Sequence, residues 1–141
     1  MAINTGKVIT GGLLAGLVFN VFDMIWNFTL LASDGMEMVN RLGLDPALLT
    51  DFSNAIPWIV IDFVLGFVFV WTYAAMRPRF GPGPKTAILA GMVPYIAVSA
   101  VLFGFTSMGV FTMSMFIKSS VLAAISVVAG SLAGAWAYTE P

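Results

Sequence analysis

The sequence predicts an all-α protein, a single membrane domain of four transmembrane helices threaded up-down-up-down with both termini cytoplasmic. Three observations predict it. Hydrophobic residues fill 60% of the 141 positions and charged residues only 9%, and the mean hydropathy is +0.98, far outside the range of a water-soluble globule of this size. Four apolar runs each reach the roughly 20 residues that a bilayer core requires. Positive charge is one-sided: Lys7, Arg77, Arg79 and Lys85 lie with the N-terminus and the second connection, against Arg41 alone on the other side.

The spans are expected at residues 8–31, 56–76, 86–108 and 110–138. Inside a bilayer every backbone amide must be paired within its own segment, so helices are expected despite many Val, Ile and Phe, and four strands could not close a barrel. The first run follows Lys7, exceeds the usual core of a secretion signal and lacks an A-x-A site, so it reads as a retained helix. The second should stop at RPRFGPGPK, residues 77–85, where prolines and glycines allow a tight reversal. Only a turn at Met108 and Gly109 separates the third from the fourth. At about 29 residues, the fourth should tilt or protrude.

Residues 32–55 form the long outer connection. Ser33 and Asp34 precede Glu37 in a capping arrangement, and Asp45-Pro46 joins an N-cap to a proline at the first helical position. Two short amphipathic helices are expected, lying on the membrane surface or across the mouth of the bundle through Met36, Val39, Leu42 and Leu48. A parallel two-plus-two internal repeat would relate GGLLAGLVF to AILAGMVPY and VIDFVLG to FIKSSVLA. It would make Asp62 and Lys118 equivalent.

Asp23, Asp62 and Lys118 are ionisable residues inside expected spans. Counted from the outer ends at 1.5 Å per residue, they lie about eight, six and eight residues deep, so antiparallel threading brings them to one layer. Ser99 supplies the third span's member of that layer. At 100° per residue, Gly12, Gly16, Asn20, Asp23 and Asn27 share one sector of the first helix; Trp58, Asp62, Gly66, Phe69 and Tyr73 share one of the second. The third groups Gly91, Tyr95, Ser99 and Thr106, and the fourth Ser114 with Lys118.

The candidate polar cluster is therefore Asp23, Asp62, Lys118, Asn20, Asn27, Ser99, Tyr95 and Ser114. A charge facing lipid costs at least about 2.5–3.5 kcal/mol, so these groups should face the bundle interior or water. Two carboxylates against one ammonium leave excess negative charge, to be balanced by a shared proton, a cation or a cationic ligand. The same geometry would serve as an ionic staple, with interhelical hydrogen bonds from Asn20 and Asn27 worth about 0.6 kcal/mol each.

Gly12-x-x-x-Gly16 and Gly130-x-x-x-Gly134 allow close backbone approach within the chain, while Ser119, Ser126, Gly130, Ala133 and Ala137 offer a small face that could be an oligomer seam. Trp26, Trp58, Trp71, Trp136 and Tyr138 fall near helix ends, as interfacial anchors do.

The absence of Cys and His removes disulfides, thiolate nucleophiles, the common zinc sites and the usual haem ligands, and no cofactor or metal is expected. With a net charge of −1 and no basic stripe, nucleic acid is not an expected partner. The bilayer is, together with further copies of the chain or a larger membrane complex. The stretches GLLAGLVFNVFDMIWN, residues 12–27, and MRPRFGPGPKTA, residues 76–87, resemble segments of small uncharacterised four-helix bacterial integral membrane proteins. That resemblance implies a bacterial inner membrane and supplies no activity.

Two functions are expected to compete. One is a binding or accessory protein whose Phe- and Met-rich walls hold a lipid, quinone or pigment, or buttress a partner subunit. The other is a proton- or cation-linked transporter or channel for a small solute, working through Asp23, Asp62 and Lys118. An enzyme is not expected, because no nucleophile motif, phosphate cradle or metal triad is present.

Overall fold

A computed structural model describes residues 3–139. The described residues form six α-helices and one short 3-10 turn: α1 Thr5–Phe28, α2 Ala32–Arg41, α3 Ala47–Thr50, the turn Phe52–Ala55, α4 Ile56–Phe80, α5 Pro84–Ser107 and α6 Met113–Ala137. Four segments are long and apolar enough to cross a membrane: Thr5–Phe28, Phe52–Phe80, Pro84–Ser107 and Met113–Ala137. The chain is a multi-pass helical membrane protein.

Local chemistry moves the helix ends away from the limits that hydropathy alone marks. The Asn4 side chain accepts from the Lys7 amide at 3.1 Å, starting α1 three residues before residue 8; the helix then ends at Phe28 rather than residue 31. The fourth membrane helix starts at Met113 instead of residue 110, because the Thr112 side chain accepts from the Met115 amide. Helix α4 runs through Pro78 to Phe80, beyond the expected stop at residue 76. It closes at Gly81, whose φ of +78° lets its amide turn back to the Arg77 carbonyl at 2.9 Å.

Helix α1 packs between α4 and α6, and α5 closes the bundle against α4 and α6. Small residues set these contacts. Gly12 lies on Phe67 and Gly16 on Phe63, while Gly66 faces the backbone of Gly12 and Gly16. On the other side Gly11 meets Gly134, and Gly130 receives the Phe19 ring. Residue numbers fall on one helix as they rise on the other, so α1 runs antiparallel to both partners. Both GxxxG motifs are thus consumed by packing within the chain. Of the α6 small face, Ser126 and Gly130 are buried against α1, while Ser119, Ala133 and Ala137 are partly exposed.

The core occupies only the half of the bundle that carries the chain ends. Helix α1 has no buried residue after Phe19, α5 none after Gly91 and α6 none before Leu122, whereas Ala15 and Ala90 are 0% exposed. At this end Tyr138, expected as an interfacial anchor, is buried at 3% exposure. Its ring meets Tyr73 edge-on with centroids 6.0 Å apart, and the Arg77 guanidinium lies 5.4 Å and 5.9 Å from the two ring centres. Trp26 is also drawn inward, donating to the Ser126 hydroxyl at 2.9 Å. Trp58, Trp71 and Trp136 remain well exposed.

The other half is spanned by α2. Arg41, at its C-terminal end, donates to the carbonyls of Gly109 and Val110, the latter at 2.7 Å. Asp34, in its first turn, pairs with Lys118 of α6 at 2.6 Å. Val39 between them is 1% exposed. The first short helix therefore lies across the bundle end; the second, α3, is a single turn whose Ala47 amide donates to Asp45 at 2.9 Å.

Candidate functional site

The α4 sector that carries Asp62 points inward as expected, because Gly66, Phe69 and Tyr73 on the same face are buried. Asp62 is 7% exposed. Among the described residues it has no hydrogen bond and no ion pair. Asp23 on α1 is half-buried.

The expected common depth does not hold. The α1–α4 register pairs Gly12 with Phe67 and Gly16 with Phe63, and the Asn20 amide reaches the Ile59 carbonyl at 3.4 Å. Continued, that register sets Asp62 level with Leu17, about 9 Å along the helix axis from Asp23. The α1–α6 contacts of Gly11 with Gly134 and Phe19 with Gly130 set Lys118 near Thr29, about 9 Å from Asp23 in the opposite direction. Three charges that hydropathy counts as one layer are a staircase. Counted from the observed ends at Phe28, Ile56 and Met113 the three still lie five or six residues deep, so the difference comes from helices offset along their axes to bring glycines together.

No family model, curated protein or solved structure matches this chain. Its site is read from chemistry alone.

The remaining predicted residues divide among separate places. Asn20 faces α4 and also donates to the Gly16 carbonyl at 2.9 Å. Asn27 is exposed and donates to the Asp23 backbone carbonyl at 2.8 Å, so it makes no link between helices. Tyr95 and Ser99 line an open groove of about 930 Å³ between α5 and α6, where the Tyr95 hydroxyl donates to the Ser120 carbonyl at 2.9 Å. Ser114 and Lys118 line another groove, of about 710 Å³, with Lys118 43% exposed. Asp62 and Lys118, equivalent under a two-plus-two repeat, thus stand in opposite surroundings.

The structure sets Asp62 and Asn20 on the facing sides of α4 and α1, leaves Asp23 farther along α1, and pairs Lys118 elsewhere. Lys118 finds Asp34, a residue that local sequence assigns to helix capping; no periodicity links a connection to the distant helix it folds onto. Arg41 and Ser126 were missed for the same reason. Among the described residues no three carboxylates converge as a metal site needs. What the pair offers is negative charge inside apolar walls, without a counter-charge beside it.

Proposed function

We propose that this chain is a binding or accessory protein of the bacterial inner membrane, threaded up-down-up-down with cytoplasmic termini, whose working centre is Asp23 with Asp62. Asp62 carries the reading: it is 7% exposed on an apolar span, and no described residue pairs with it. An unpaired charge in such a place is costly, so the carboxylate calls for a proton or a cationic group. A cationic amphiphile satisfies both the carboxylates and the apolar walls. Asp62 stands at the edge of the tight packing around Ala15 and Phe19, and Asp23 lies on α1 beyond its last buried residue. That arrangement favours holding a ligand over passing one through, and binding over catalysis.

Isothermal titration of the solubilised protein with tetraphenylphosphonium tests this directly. Asp62→Asn is expected to weaken binding at least tenfold and Asp23→Asn by a smaller factor. Unchanged affinity in Asp62→Asn, with helical content preserved, would remove the reading.

The staircase supports a second reading, proton- or cation-linked transport by an oligomer. Two carboxylates offset by about 9 Å along the helix axis are spaced as successive stations of a relay. Proton flux into liposomes that stops in Asp62→Asn supports it; flux that is absent from the wild type, or persists in the variant, ends it.

A further inference from the structure

Lys118 stands apart from the carboxylate pair and shapes a site of its own. A groove along the start of α6 is lined by Ser114, Ile117, Lys118, Val121 and Leu122 together with Leu30, which follows the end of α1. Ser114 and Lys118 are one turn apart on α6, so they share a face; Ile117 adjoins them, and Val121 and Leu122 continue the groove toward the middle of the membrane. Lys118 lies five residues inside the start of α6 at Met113, a depth of about 7.5 Å. From there a lysine stem reaches the headgroup zone.

We propose that this groove seats one zwitterionic phospholipid. Its phosphate contacts the Lys118 ammonium and the Ser114 hydroxyl, and one acyl chain lies along Ile117, Val121 and Leu122 against Leu30. The charges support this occupant. An ammonium has three donors, and Asp34 takes one at 2.6 Å; the side chain remains 43% exposed while Asp34 is only 11% exposed. Because Asp34 already balances Lys118, a headgroup carrying both signs fits without leaving a net charge, its phosphate on the ammonium and its own ammonium toward the carboxylate. Paired basic and polar groups above an apolar groove at a membrane interface are how transmembrane proteins hold headgroups. A second protein segment laid here would have to bring its own anion to the same depth.

Native mass spectrometry after release from nanodiscs of equal dioleoyl phosphatidylethanolamine and dioleoyl phosphatidylglycerol decides the matter. The wild type should retain one phosphatidylethanolamine. Lys118→Gln should lower its occupancy at least fivefold, and Val121→Trp, which fills the groove from a position 58% exposed, should do the same with Lys118 intact. Asp34→Asn should keep a phospholipid and shift the selection toward phosphatidylglycerol. The proposal is overturned if Lys118→Gln retains the lipid, if Asp34→Asn loses it as Lys118→Gln does, or if millimolar inorganic phosphate displaces it. None of these outcomes depends on Asp23 or Asp62.

Discussion

Gly66 sits where α1 and α4 come closest, and a methyl group added there would run into the Gly12 carbonyl oxygen and the Gly16 amide nitrogen. Backbone cannot rotate aside as a side chain can, so Gly66→Ala should push the helices apart at the cost of about 1–3 kcal/mol typical of overpacking. Gly104 has nothing within 4 Å of the same added atom, and Gly104→Ala should be neutral or slightly stabilising through helix propensity. Unfolding in mixed micelles by sodium dodecyl sulfate compares the two; equal losses would contradict this account. Which glycines matter was partly legible, since GxxxG spacing marks Gly12, Gly16, Gly130 and Gly134. Gly66 shows no such spacing, and only its opposition to two other glycines gives it weight.

At the scale of elements, the long connection between α1 and α4 is held by a few polar contacts. Asp51 accepts from the Ser53 amide at 2.9 Å and from the Ser53 hydroxyl at 2.8 Å. The amide bond first, then the hydroxyl bond, holds its carboxyl below the usual pKa. A depressed folded pKa means that the stabilisation is complete above the unfolded value and disappears as pH falls through the folded one. Amide exchange at Ser53, corrected for its intrinsic rate, should therefore show protection that is constant near neutrality and lost on acidification. Asp51→Asn should abolish that acid dependence. Arg41→Ala removes two carbonyl contacts at the α5–α6 turn, and faster exchange confined to α2 is the expected result. Protection in α2 equal to that of the wild type would show that Val39 and the Asp34–Lys118 pair hold it without Arg41. Neither clasp was readable beforehand, because both join residues 68 or more positions apart.

On the scale of the molecule, one half of the bundle is sealed by small residues and aromatic rings and the other is splayed beneath α2. The cationic end coincides with the sealed half: Lys7, Arg79 and Lys85 are exposed there. The proposed orientation follows from this one-sided charge, and the absence of native cysteine makes it simple to test. In intact spheroplasts a membrane-impermeant maleimide should label Glu37→Cys, whereas Lys85→Cys should react only after permeabilisation. The reverse pattern would invert the proposed threading, and with it the side from which Asp23 and Asp62 are reached.

Composition and chain order by themselves determined the helical class, the four spans, the tight connections and the inward faces of Asp23, Asp62 and Gly66, because a bilayer leaves a backbone few alternatives and angular position follows from spacing alone. Depth and partnership were decided only by the tertiary structure. The offset between antiparallel helices is chosen where glycines and rings interlock, as at Gly16 with Phe63 and Gly130 with Phe19, and that choice spreads Asp62, Asp23 and Lys118 along the axis. The path of α2 gives Lys118 to Asp34, an ion pair that no property of either residue's neighbours in the chain could announce.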